Sequence, residues 1–389
     1  MTWLDLPQDT GFGIANLPYG VFDAGAGRRI GVAVGDDVLD LGAVAARRTP
    51  DLAPLLAAPV LNPLLAAGAP AWRLVREALT DWLTDPAAEG DVRPHLHPRA
   101  AVTLHLPYEV ADYVDFYASE HHASNVGRIF GRTTPLHPNW RHLPCGYHGR
   151  AGSVVVSGTP VRRPQGQRAA GDFGPSRRLD LECEVGFLLG PGSTGPVAAA
   201  DVAEHVFGVF LLNDWSARDL QAWETVPLGP FLGKSFATSV SPWVVPLDAL
   251  RAAEVDPPAQ DPQPLPYLRG GRGLDLALTV SLNGHVVSRP RFAGMYWTPA
   301  QMLAHLTVNG ASTRPGDIFA SGTVSGPVRG ERGCLLELTW NGEEPLELPD
   351  GTTRAFLEDG DEVVLAATAP GADGTRIDFG EVRGTIAPP

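Results

Sequence analysis

The side chains able to do chemistry fall in a few short segments. In LDLECEVGFLLG, Asp180, Glu182 and Glu184 alternate with Leu181, Cys183 and Val185. Successive strand residues point to opposite faces, so this spacing predicts a half-buried strand with its carboxylates on one side. Water would accommodate such a row, whereas like charges held together elsewhere need a cation between them. In VFGVFLLNDWSARDLQAWE an apolar strand runs into Asn213 and Asp214, either of which is placed to cap a short helix. Helical spacing then lines up Asp214, Arg218 and Gln221 along one side. DYVDFYASEHHASNVG brings Asp115, Tyr117 and His122 close together. A histidine beside a metal-bound carboxylate is a natural general base near neutral pH, although a pair such as His121–His122 also fits a structural or exposed role. Asp115, Glu182, Glu184 and Asp214 offer only oxygen donors, a set that suits Ca2+ or Mg2+ rather than Zn2+. Of the 30 basic residues only Lys234, in GKSFAT, is a lysine. A compact ammonium at one position, with arginine everywhere else, marks a place where a planar fork does not serve. Four carboxylates overneutralise a divalent ion, which gives that ammonium a reason to be near.

The elements that must position these groups read as mainly β (α+β). Glycine and proline make up 81 of 389 residues, which argues against a long helical bundle and for short strands joined by turns. The first hundred residues form a small separate unit. GFGIANLPYGVF and RRIGVAVGDDVLDLG alternate like strands, and PAWRLVREALTDWL carries Trp72, Val75, Leu79 and Leu83 at helical spacing. Pro-rich VRPHLHPRA is expected to end it as a linker, with His95 and His97 solvated. In the closing third, LDLALTVSLNG, TRPGDIFASGTVSG, CLLELTWNG and DGDEVVLAATA read as strands between tight turns. The formal charge of −14 argues against nucleic-acid and anionic-membrane partners. No apolar run reaches the ~18 residues of a membrane span, and no secretory leader is read at the start, so a soluble cytoplasmic protein is expected. Cys145, Cys183 and Cys334 are far apart, which fits a reducing compartment without a disulfide framework.

Several long segments together resemble one family. DFYASEHHASNVG, PNWRHLPCGYHGRAGSVVVSGTP, LDLECE, NDWSARDLQAWE, PLGPFLGKSFATSVSPWVVP and RPGDIFASGTVSGP are similar to the fumarylacetoacetate hydrolase family, in order from about Tyr108 to the C-terminus. The resemblance implies a small SH3-like barrel over residues 1–105 and a larger mixed β-roll or sandwich catalytic domain over 106–389. It implies metal-dependent hydrolysis of the carbon–carbon bond of 4-fumarylacetoacetate to fumarate and acetoacetate, by a homodimer acting on a small β-diketone dicarboxylate. Carried over residue by residue, it implies that Asp115, Glu182, Glu184 and Asp214 bind Ca2+ or Mg2+, with Lys234 and Thr238 linked to that site. It makes His122 the base and Glu337 the carboxylate that orients it. Arg218, Gln221 and Lys234 become the groups that hold the oxyanion and the leaving carbanion, and Tyr117, Tyr147, Gln221 and Thr323 become substrate contacts. Two positions depart from the family pattern. Arg132 follows Phe130-Gly131 in a loop one residue shorter, and Thr225 stands where the family has a tyrosine, so both bear on the substrate pocket. A hydrolase or decarboxylase of a related acylpyruvate or oxo acid on the same fold is the alternative enzyme. A non-catalytic, Ca-stabilised protein that binds small acids is the alternative of another class.

Overall fold

The computed structural model describes residues 2–7 and 9–389. Strands Tyr19–Asp23, Arg28–Val34 and Asp37–Asp40 form an antiparallel meander, completed at its edges by Thr103–His105 and Leu96–Pro98. Asp40 ends the third strand and caps helix Leu41–Arg48, accepting the Ala43 N–H at 3.0 Å. In helix Gly68–Thr84 the predicted Val75, Leu79 and Leu83 are buried together with Trp82, while Trp72 is half-buried. VRPHLHPRA corrects the expectation of a linker with solvated histidines. Leu96 pairs with Leu39 in an edge strand, where proline is tolerated, and the half-buried His97 lies 5.5 Å from the Phe22 ring.

An eight-stranded mixed sheet occupies the centre. Its order is Gly146–His148, Tyr113–Phe116, Ile318–Ala320, Cys183–Leu189, Val206–Asp214, Thr238–Val240 and Val154–Val156, with Val245–Pro246 also paired to Val206–Asp214. A third sheet runs His285–Ser288, Ala277–Leu282, Glu362–Pro370, Arg376–Ala387 and Val161–Arg162. The longer strands of this third sheet alternate buried and part-exposed residues, as one-sided sheets do. Its buried row, including Leu278, Val280, Val363, Leu365 and Phe379, shares a core with Cys183, Val185, Phe187, Val209 and Leu211. The opposite face of the central sheet contributes Leu188, Phe210, Leu212 and Tyr113 to a second core with Tyr19, Val21, Val75, Leu79 and Trp82 of the N-terminal unit. Cys183–Leu189 is therefore buried at every residue. The predicted half-buried strand is corrected, because both of its faces are covered.

Three further expectations are corrected here. CLLELTWNG is not a strand but a short helix, Leu335–Leu338, followed by Trp340 and Asn341 in the left-handed region. A buried carboxylate, Asp180, accepts the Leu335 and Leu336 N–H groups and overrides the local alternation. Asp180 therefore does not share a continuous strand with Glu184; it lies in the separate two-residue strand Leu179–Asp180. Asp214 is the last residue of its strand rather than a helix cap, since the next helix, Arg218–Glu224, opens after Ala217 without a side-chain cap.

Gly186 shows how tightly the two central strands are matched. A Cβ there would come within 2.4 Å of the Phe210 ring that fills the space above it. Gly186→Ala is expected to cost about 1–3 kcal/mol through overpacking, read as a lower urea midpoint at unchanged m-value.

Candidate active site

The face of the central sheet that packs on the N-terminal unit bears Glu184, Asp214 and Asp115. Glu184 shares that face with Leu188, Asp214 with Leu212 and Phe210, and Asp115 in Tyr113–Phe116 with Tyr113. Strand register then brings them together. Glu184 faces Leu212, the Asp214 N–H donates to the Glu182 carbonyl at 3.2 Å, and Asp115 is paired to Ala320 beside the Cys183–Leu189 strand. The result is a buried cluster of Asp115, Glu182, Glu184 and Asp214 with one oxygen of each within 4.8 Å of the others.

Polar neighbours complete the shell. Lys234 Nζ contacts Glu182 Oε2 and donates to Asp214 Oδ2 at 2.9 Å. Arg218 Nη1 lies 2.8 Å from Glu182 Oε1. The Tyr147 hydroxyl lies 2.8 Å from both Asp115 Oδ2 and Asp214 Oδ2, and Thr238 Oγ1 donates to Asp214 Oδ1 at 3.1 Å. The Gly322 N–H donates to Glu184 Oε2 at 3.1 Å; the left-handed backbone there (φ +74°) and the Phe116 carbonyl leave no room for a Cβ.

Two cations do not balance four carboxylates. Burial, then the neighbouring Asp214, pushes the Asp115 carboxyl up to about 8. Burial, then Asp115, raises Glu184 well above its ordinary value, and burial also raises Asp214. Glu182 goes the other way: burial alone would raise it, but Lys234 and Arg218 outweigh that and hold it low. Asp115 Oδ1 and Glu184 Oε1 are buried and, among the described residues, have no hydrogen-bond partner. An excess of buried negative charge, with two carboxylate oxygens unsatisfied, fits a hard divalent cation.

Beside the cluster stands a second constellation. Ser119 caps helix Glu120–Ile129, accepting the His122 N–H at 3.2 Å, which directs His122 inward. His122 Nδ1 lies 2.6 Å from Glu337 Oε2. Glu337 also accepts from Asn125 Nδ2 at 2.8 Å, Ser325 Oγ at 2.7 Å and Cys334 Sγ at 3.2 Å. Burial would raise its carboxyl, yet His122, Asn125 and Ser325 bring it down to about 2. An ionised Glu337 can only accept, so Nδ1 carries the proton and Nε2 is the basic nitrogen. The Tyr117 ring stands edge-on to His122 at 5.2 Å.

The remaining predicted residues lie around these two groups. Gln221 Oε1 accepts from Arg218 Nη1 at 3.2 Å, and Thr323 is buried, its Oγ1 without a partner among the described residues. Thr225 Oγ1 donates to the Gln221 carbonyl at 2.5 Å, so its hydroxyl turns back onto its own helix. Arg132 is exposed, although its charge is felt at Tyr117. Sequence reasoning missed Asn125 and Ser325, and it placed Asp180 on the carboxylate strand without giving it a partner in the site. Asn125 lies one helical turn after His122, a spacing that is readable; nothing local marks Ser325.

Comparison with known proteins agrees along the whole chain. Residues 15–107 match the family model described as Fumarylacetoacetase N-terminal, and residues 112–387 match Fumarylacetoacetate (FAA) hydrolase C-terminal. The chain is 46% identical over 420 residues to the fumarylacetoacetase of Bos taurus, covering 100% of this chain and 99% of that one. It is 46% identical over 415 residues to that of Arabidopsis thaliana, covering 100% and 98%. Among solved structures, a fumarylacetoacetate hydrolase from Exiguobacterium antarcticum superposes with TM-score 0.58 at 18% identity, covering 96% and 100%. A maleylpyruvate hydrolase from Sphingobium sp. SYK-6, in complex with manganese(II) and pyruvate, superposes with TM-score 0.55 at 18% identity, covering 96% and 99%. No helix among the described residues is long and apolar enough to cross a membrane.

The charge excess makes a stability prediction. Adding Ca2+ or Mg2+ to chelator-treated protein is expected to raise Tm by several degrees, increasing with ion concentration as binding to the folded state requires. Glu184→Gln relieves repulsion, so without the ion its Tm is expected to equal or exceed that of the parent, while the ion-dependent rise is lost. Scanning calorimetry of both proteins, with and without ion, checks this.

Proposed function

Because the chain belongs to the fumarylacetoacetate hydrolase family, we infer that it hydrolyses 4-fumarylacetoacetate to fumarate and acetoacetate, a carbon–carbon bond hydrolysis of tyrosine catabolism. The observation that carries this reading on the chain's own residues is a buried four-carboxylate site beside a histidine held by an ionised glutamate. The curated relatives, 42–46% identical over their full length, do not favour the related oxo-acid enzymes or a non-catalytic binder.

Asp115, Glu182, Glu184 and Asp214 would hold a divalent cation, which we take to be Ca2+ or Mg2+ and which would supply Lewis-acid polarisation of the substrate carbonyls. His122 accepts a proton from water at Nε2, while Glu337 at Nδ1 fixes the tautomer and ring orientation. The resulting hydroxide adds to the fumaroyl carbonyl carbon. The bond from that carbon to the acetoacetate methylene then breaks, its electron pair goes to the methylene carbon, and that carbon takes a proton. Water is thus divided, with its oxygen in fumarate and a hydrogen on acetoacetate. Lys234, Arg218 and Gln221 supply donors for the oxygen that becomes negative, an effect typically worth about 3–4 kcal/mol per donor. Tyr117, Tyr147, Thr323 and Arg132 are assigned to the substrate, and Thr225 to the pocket wall. Thr238 and Lys234 hold the metal-site carboxylates in place.

The same reading divides the chain into an N-terminal domain (1–105) and a catalytic domain (106–389). It is supported by Thr103–His105 closing the first sheet and Tyr113–Phe116 entering the central one. We assign the assembly as a homodimer.

Loss of the diketone absorbance of fumarylacetoacetate, with fumarate and acetoacetate identified as products, tests the activity; a folded, ion-loaded sample without turnover refutes it. His122→Ala is expected to lower kcat by about 10²–10⁴-fold. Lys234→Arg, which keeps the charge, is expected to lower kcat by at least about 100-fold. Near-normal turnover in Lys234→Arg would remove the lysine from the mechanism.

A further inference from the structure

Asp180 is the one carboxylate of LDLECE outside the four-carboxylate cluster, yet it is completely buried. Its strand, Leu179–Asp180, pairs with Ser216–Ala217 just ahead of Arg218. Oδ2 accepts from Arg218 Nε at 2.8 Å and from the Leu336 N–H at 3.0 Å, while Oδ1 accepts the Leu335 N–H at 2.7 Å. These donors come from two directions. Arg218 carries its Nη1 on to Glu182 and Gln221. Leu335 and Leu336 open the four-residue helix Leu335–Leu338, which presents Glu337 to His122.

We propose that Asp180 is a positioning residue that holds the His122–Glu337 pair in register with the Arg218–Glu182 side of the carboxylate cluster, an inference that rests on the site reading given above. A helix this short cannot sustain itself, and its first N–H groups have no partner within it. Its N-cap residue, Cys334, makes no side-chain capping bond, so Asp180 supplies from across the fold the acceptors the helix lacks. Because the same carboxylate grips Arg218, a shift of the helix that moves Glu337 also pulls on the guanidinium. Asp180→Asn keeps the volume but turns one acceptor oxygen into an NH2 that faces donors.

The test combines Asp180→Asn with Glu337→Gln in ion-loaded protein. Asp180→Asn alone is expected to lower kcat about 10- to 100-fold, the range for residues that orient a metal site's ligands. In the Glu337→Gln background it is expected to cost less than about threefold, because the geometry it protects is already lost. Costs that multiply in the double variant overturn the proposal. A second readout needs no substrate: the low-field proton resonance of the 2.6 Å His122–Glu337 hydrogen bond is expected to shift or broaden in Asp180→Asn, while the Ca2+-dependent rise in Tm remains. An unmoved resonance overturns the proposal even if the parent protein does not turn over fumarylacetoacetate; absent parent turnover alone refutes the activity and not the positioning. Should Asp180→Asn fail to fold, replacing the Leu336 amide by an ester removes a single donor and leaves Asp180 in place. The same resonance then decides, and an unchanged signal is the overturning result.

Discussion

Four carboxylates gathered inside a sheet covered on both faces is the constraint on which the rest of this structure depends. Water cannot stabilise them there, so each charge must be met by a cation, a hydrogen bond or a proton. The chain provides one ammonium and one guanidinium, both committed to Glu182, with Lys234 also reaching Asp214. Asp115 and Glu184 are each left with an oxygen that finds no hydrogen-bond partner among the described residues. The N-terminal unit and the third sheet serve the same requirement, because the cores they build on the two faces of Cys183–Leu189 exclude solvent from the strand that carries Glu184.

Two kinds of carboxylate stand side by side, and their surroundings pull them apart. Glu337 is as deeply buried as Glu184, yet it stays ionised to about pH 2 because His122, Asn125 and Ser325 all donate to it. Glu184 receives one backbone N–H and faces three other carboxylates, so its charged form is penalised. The same functional group is thereby made a permanent acceptor in one place and an unsatisfied donor of charge to a cation in the other. Arg218 stands at the junction, with Nε on Asp180 and Nη1 on Glu182.

Much of the site was legible in the sequence because its ligands ride on regular strands. Alternation put Glu182 and Glu184 on one face, and the apolar run before Asp214 marked the strand that delivers it. The solitary lysine marked Lys234. What the sequence hid were features set by distant parts of the chain. CLLELTWNG alternates like a strand, and the acceptor for the N–H groups that open its helix is Asp180, 155 residues earlier. LDLECE looked half-solvated because nothing in it tells how many layers will cover it. VRPHLHPRA looked like a linker because prolines are common in linkers, although they also suit a sheet edge. Glu337 could be placed only through family resemblance, since no local pattern distinguishes it from a surface glutamate.

The unsatisfied groups explain why such a site is not optimised for stability. Among the described residues, Asp115 Oδ1, Glu184 Oε1, Arg218 Nη2 and Thr323 Oγ1 are all buried without partners. A buried polar atom without a hydrogen bond typically costs about 1–3 kcal/mol, so this set is a substantial burden on the folded state. Two of them are carboxylate oxygens suited to a cation, and two can donate to an oxygen anion. They are held in place by neighbours that are fully paired: Asp180 fixes Arg218, and Gly322 fixes Glu184. Interactions kept open in this way are made when the cation and the reacting oxygens arrive, with little reorganisation left to perform. A protein selected only for stability would fill these positions with apolar side chains; leaving them polar, rigid and unpaired is what a binding and catalytic site requires.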